Sequence, residues 1–174
     1  TSQIQALMAM KDTMSGIIKN PQAFLKRIAE TRWRSLSARD PYERRLAKLQ
    51  SLSLGAQQHL VTRTAVDKFK SLANVPIFDW PQELTQQWDP KRDFAYAMLH
   101  AERLTRLMTD VEICELLYEQ QLEYPEREEV FLRYLERAEP RCRFLHDEIT
   151  TTGERLVKAL HPDEAGEPLE GAAE

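Results

Sequence analysis

The sequence predicts an all-α fold, a multi-helix bundle of about six to seven helices around one long central helix at about residues 90–122, with an acidic disordered C-terminal tail. Three observations predict it. Glycine is scarce, with 5 residues against 24 Lys+Arg and 28 Asp+Glu in 174, a balance that leans toward helix. Apolar residues recur at steps of three and four along most of the chain. Asn20-Pro21, Asp40-Pro41 and Asp89-Pro90 each set a favoured N-cap before a proline, which fits the first helical position because the amide proton it lacks has no partner there.

From Gln3 to Lys19, the residues Ile4, Leu7, Met8, Met14, Ile17 and Ile18 follow a helical phase. Asn20-Pro21 stops that helix and starts a second, running to about Ser37. After Asp40-Pro41 the stripe Tyr42, Leu46, Leu49 is helical, then gives way to Ser51-Leu52-Ser53-Leu54-Gly55, where a bend is expected. Leu60, Val61, Ala65, Phe69 and Leu72 restore the period.

Residues 74–89 hold Pro76, Pro81, Ile77, Phe78, Trp80 and Trp88 without a sustained period, so they read as an aromatic connection between a basic helical region, 1–73, and an acidic one, 90–160. Structureless connections of that length are uncommon inside compact domains and are often functional. The window from Pro90 to Leu122 has no internal Pro or Gly and would span ~50 Å as one helix. Its stripe is Leu104, Leu107, Met108, Val111, Cys114, Leu117, Tyr118 and Leu122. Tyr124-Pro125 and Glu139-Pro140 then predict two restarts. The first helix, to Ala138, presents Val130, Phe131, Tyr134 and Leu135, and the second, to Leu160, presents Cys142, Leu145, Ile149, Thr152, Leu156 and Ala159. Short links make these last three helices antiparallel neighbours. Residues 161–174 carry no Lys or Arg and too little apolar area to order themselves.

The net charge of −4 conceals a division of the chain. Residues 1–80 hold 13 basic and 6 acidic groups, net +7, whereas residues 81–174 hold 11 and 22, net −11. Such a split serves either an anionic partner or the mutual attraction of the two halves. No run of eighteen apolar residues is present, and Thr1-Ser2-Gln3 lacks the basic start and apolar core of a signal peptide, so a cytoplasmic location away from membrane is expected. The two cysteines, Cys114 and Cys142, fall at apolar phases and read as buried thiols.

Motifs for chemistry are missing. A carboxylate-bridged di-iron bundle needs Glu-x-x-His pairs, but His59, His100, His146 and His161 follow Ala56, Ala97, Arg143 and Lys158 at that step. Cys142 with His146 is half a metal site at most. There is no Gly-rich phosphate loop, no Gly-x-Ser-x-Gly elbow and no Cys-x-x-Cys. No catalytic residue, cofactor or metal is therefore expected, nor is a small-molecule ligand.

What remains is interaction. Glu112, Glu115, Glu119 and Glu123 line one flank of the long helix, a row of like charges that disfavours an isolated helix and suits a basic partner. With Phe78, Trp80 and Trp88 they are the candidate partner-binding residues of a non-enzymatic adaptor or structural subunit that binds another protein. The alternative is a nucleoprotein subunit whose Arg27, Arg32, Trp33, Arg34, Arg44, Arg45 and Lys48, helped by Lys26 and Arg39, cover phosphates, with Trp33 stacking on a base. Trp33 also has a structural reading, four residues from Ala29 and three from Leu36, as the closure of a core edge.

Overall fold

A computed structural model of the chain describes residues 2–72 and 95–160, and every regular element among them is helical. In order these are α1 (Ser2–Lys19), α2 (Pro21–Ser37), α3 (Pro41–Leu72), α4 (Ala95–Leu99), α5 (Ala101–Glu123), a 3-10 turn (Pro125–Arg127), α6 (Glu128–Thr151) and α7 (Glu154–Leu160). No helix among the described residues is long and apolar enough to cross a membrane. The Asp89-Pro90 start, the aromatic connection 74–89 and the tail 161–174 lie outside the described residues.

Two of the proline starts form as their chemistry requires. The Asn20 side chain accepts from Ala23 N at 3.1 Å, capping α2. At α3 the Asp40 carboxylate accepts from Tyr42 N at 2.9 Å with one oxygen and from the Tyr118 hydroxyl at 2.7 Å with the other. Asp40 thus both starts α3 and ties that start to α5.

The long central helix requires correction. The described part of that window is broken at His100, between a short α4 and the 23-residue α5, and the longest helix among the described residues is α3, with 32 residues. The break is a local tightening: the His100 amide donates three residues back to Ala97 O at 3.2 Å rather than four back, while its ring turns toward the end of α6.

The bend expected at Ser51–Gly55 is absent, because α3 runs straight through it. Ser51 Oγ donates to Ala47 O at 2.9 Å and Gln57 donates to Ser53 Oγ at 3.2 Å, so these polar side chains are satisfied inside the helix. Gly55 faces α6, where an added Cβ would stand 3.3 Å from the His146 Nε2 atom. Its place is set by close packing, not by a turn.

The restart at Pro140 is also overturned. α6 carries Pro140 inside it and ends at Thr151, so the predicted helices 125–138 and 140–160 are one helix followed by the short α7. Its buried stripe of Phe131, Leu135, Ala138, Cys142, Leu145 and Ile149 keeps the four-three alternation across the proline, which sits on the exposed side. Gly153, at φ 97°, is the true stop. Leu156 is exposed, and α7 packs on α4 rather than completing a three-helix bundle with α5 and α6.

The core lies where α5, α6 and α3 meet. α5 and α6 form an antiparallel hairpin with the most extensive contact among the described residues, α3 lies across both, α1 packs on α5, and α2 packs on α3. Phe131 is fully buried, with Tyr42 and Tyr118 rings 5.8 and 5.6 Å from its own. One buried cluster takes Ala6, Met10 and Met14 from α1, Leu46, Leu49 and Leu60 from α3, and Leu104, Leu107 and Leu135 from the hairpin. The phase expected for α1 holds for only two of its six residues: Met14 and Ile17 are inside, but Ile4, Leu7, Met8 and Ile18 are exposed, and Ala6 and Met10 take the inner face.

Candidate interaction surface

Helix α2 carries two apolar faces. Ile28 and Thr31 are buried against the bundle. On the other side Leu25, Ala29, Trp33 and Leu36, at steps of four, four and three, form a second stripe in solvent. Leu25 is 55% exposed, Trp33 70% and Leu36 78%. Trp33 therefore does not close a core edge. At 100° per residue, Lys26 and Arg32 border this stripe on its two sides, and Arg39 follows its C-terminal end.

The basic residues divide into two groups. Arg45 belongs to the fold: its guanidinium forks onto Glu139 of α6 at 2.8 and 3.1 Å, half-buried, and that bond raises its already high pKa. Arg34 donates to Gln50 at 2.9 Å, and Gln50 in turn donates to Glu115 at 2.7 Å, so a relay runs from α2 through α3 to α5. Lys26 makes an exposed pair with Glu30 at 3.7 Å. Arg27, Arg32, Arg39, Arg44 and Lys48 are exposed and have no ion pair among the described residues.

The acidic flank divides in the same way. Glu115 is half-buried and held by Gln50, whereas Glu112, Glu119 and Glu123 are exposed. Leu116 runs along their edge, 50% exposed, four residues after Glu112 and three before Glu119. Phe78, Trp80 and Trp88 lie outside the described residues.

Two polar groups inside the fold are structural. Asp110 of α5, nearly buried, accepts a forked bond from Arg141 and a 2.9 Å bond from the Tyr134 hydroxyl, whose pKa is pushed up to about 12 by burial and by that carboxylate. At the other end of the hairpin, Tyr96 donates toward the carbonyls of Ile149 and Thr152 at 3.0 and 2.8 Å, and His100 Nε2 donates to Thr152 O at 3.2 Å. These bonds serve the carbonyls that α6 leaves unpaired where it ends. His59 Nε2 stands 3.4 Å from the Tyr96 hydroxyl, and Arg63 lies over the Tyr96 ring.

Cys114 and Cys142 are fully buried free thiols whose pKa is pushed up to about 12 by burial, so neither is a ready nucleophile. Among the described residues no group of three or more His, Cys, Asp or Glu is placed to hold a metal ion. A shallow surface groove of about 400 Å³, between Leu52 of α3 and Arg143, Phe144, His146 and Asp147 of α6, opens widely to solvent.

Trp33, Arg32 and the Glu112–Glu123 flank are candidates from sequence, whereas nothing in the sequence marks Leu25, Leu36 and Leu116 as surface residues. The four-four-three spacing of Leu25, Ala29, Trp33 and Leu36 was legible. A helix apolar on two faces, however, does not say which face turns inward. Comparison with protein-family profiles, with curated proteins and with solved structures gives no match.

Proposed function

We propose that this chain is a non-enzymatic helical adaptor or structural subunit that binds another protein, with the outer face of α2 as its docking surface. The observation that carries this reading is the exposed stripe Leu25–Trp33–Leu36 on a helix whose opposite face already packs on the bundle. Contiguous exposed apolar side chains with a polar rim are the composition of interface centres, and a large aromatic residue commonly anchors them.

The test is a double substitution, Trp33→Ala with Leu36→Ala, in the chain purified with its partners from its own cells. Both side chains are exposed, so circular dichroism should be unchanged, while capture of the partner protein should fall by about tenfold or more. Undiminished capture by a folded double variant would remove α2 from the reading.

A second reading has its own observation. Trp33 stands in solvent between Arg32 and Arg34, with Arg27, Arg44 and Lys48 exposed nearby in sequence, a pattern suited to a single-stranded nucleic acid. Against it, Arg45 and Arg34 are already engaged within the fold. That reading requires binding to DNA or RNA that weakens steeply with salt and disappears on charge reversal at Arg32 and Arg44.

A further inference from the structure

We infer that the protein docks to a second copy of itself, the basic apolar face of α2 on one molecule seating against the acidic face of α5 on the other. The inference rests on the adaptor reading above and names the partner of that surface. Residues 19–48 hold nine basic and three acidic groups, and the α2 stripe is framed by Lys26, Arg32 and Arg39. An occupant should therefore be an acidic helix face that also offers an apolar residue. Such a face is present on the same chain: Glu112, Glu119 and Glu123 form one narrow exposed strip of α5, and exposed Leu116 runs along its edge.

The dimensions agree. Leu25 to Leu36 and Glu112 to Glu123 are each eleven residues apart, so both faces extend ~16 Å along their helices. The two cannot meet within one molecule, since both are exposed in a fold where α2 packs on α3 and α1. None of Glu112, Glu119, Glu123, Arg32 or Arg39 has an ion pair among the described residues, which leaves both rows available for pairing across an interface. Formed twice about a two-fold axis, the contact closes an isologous dimer; formed once per pair it is heterologous and propagates head to tail as a ring or filament. One pair of three-turn faces buries less than the ~1,600 Å² of a standard interface, so association belongs in the micromolar range and depends on salt.

Sedimentation of the full chain from about 1 to about 500 μM, at about 50 and about 500 mM salt, tests this. Concentration-dependent association is expected, weaker by about tenfold or more at the higher salt. Leu36→Asp on α2, and the triple reversal Glu112→Lys, Glu119→Lys and Glu123→Lys on α5, should each give folded monomers. Trp33→Gln serves as a second α2 variant. Mixing the α2 variant with the α5 variant should restore a one-to-one pair, because each supplies the face that the other has lost. Association of the α5 variant at wild-type strength, or failure of the mixture to pair, overturns the inference. A wild-type chain that stays monomeric throughout also overturns it. Where such a monomer still captures a different protein through Trp33, the adaptor reading survives, and where it binds only nucleic acid, that reading falls too.

Discussion

At the scale of single residues, the sharpest constraint is Gly153. Its φ of 97° lies where a side chain is strained, and an added Cβ would stand 2.7 Å from a Leu99 methyl and 2.8 Å from His100 Nε2. That position holds the end of α6 beneath the α4–α5 break, where Tyr96 and His100 serve the carbonyls of Ile149 and Thr152. Gly153→Ala is therefore expected to destabilise by about 1–3 kcal/mol, lowering the thermal midpoint by about 2–10 °C in a circular dichroism melt. An unchanged midpoint would mean that the turn relaxes freely. His100 shows how tightly the same corner is set. It is 1% exposed, and since a carbonyl can only accept, its proton lies on Nε2, which leaves a buried Nδ1 without a partner among the described residues.

At the scale of elements, what was legible depended on whether the cause was local. The caps at Asn20-Pro21 and Asp40-Pro41 were readable because a side-chain oxygen and a nearby amide decide them. The continuity of α3 through Ser51–Gly55 was not, because Gly55 there answers to close packing on α6 across the bundle, where a Cβ would meet the His146 ring. The continuity of α6 through Pro140 depends likewise on a stripe that keeps packing on both sides. Nor was the inner face of α1 legible, where Ile4 and Met8 compete in sequence with Ala6 and Met10 and only the packing on α5 decides. Pro140 gives a test of this balance. It removes one backbone donor from the helix interior yet stiffens the unfolded chain, two effects of opposite sign of which the first is larger. Pro140→Ala should stabilise the protein by about 1–2 kcal/mol in urea unfolding, with an unchanged slope. A destabilised variant would show that the ring itself packs.

At the scale of the whole molecule, the charge split has turned out to be partly internal. Arg45 to Glu139, Arg63 to Glu154, and Tyr42 donating to Glu128 at 2.8 Å all join the basic first half to the acidic second. The same junction gathers three imidazoles: His59 on α3, His100 between α4 and α5, and His146 on α6. Burial lowers the pKa of each, and no carboxylate raises it enough to compensate. Arg63 and His146 add repulsion at His59; Arg103 and His59 add it at His100, against Glu148 and the Thr152 carbonyl; Asp147 only partly offsets burial at His146. Because the folded values lie below the ~6.5 of a free imidazole, the unfolded chain takes up protons first as pH falls. Stability is then complete above about pH 6.5 and declines below it, until the folded imidazoles themselves titrate. Glu148, held low by Arg103, acts in a separate window, since its contribution is present above ~4.5 and lost only in stronger acid. The urea midpoint should accordingly be flat from about pH 8 to about pH 7 and fall between about pH 6.5 and about pH 5. His146→Gln should make that fall shallower, since it removes one of the three groups. A midpoint that stays level to pH ~5 would show that the imidazoles titrate in the folded state as freely as in the unfolded chain.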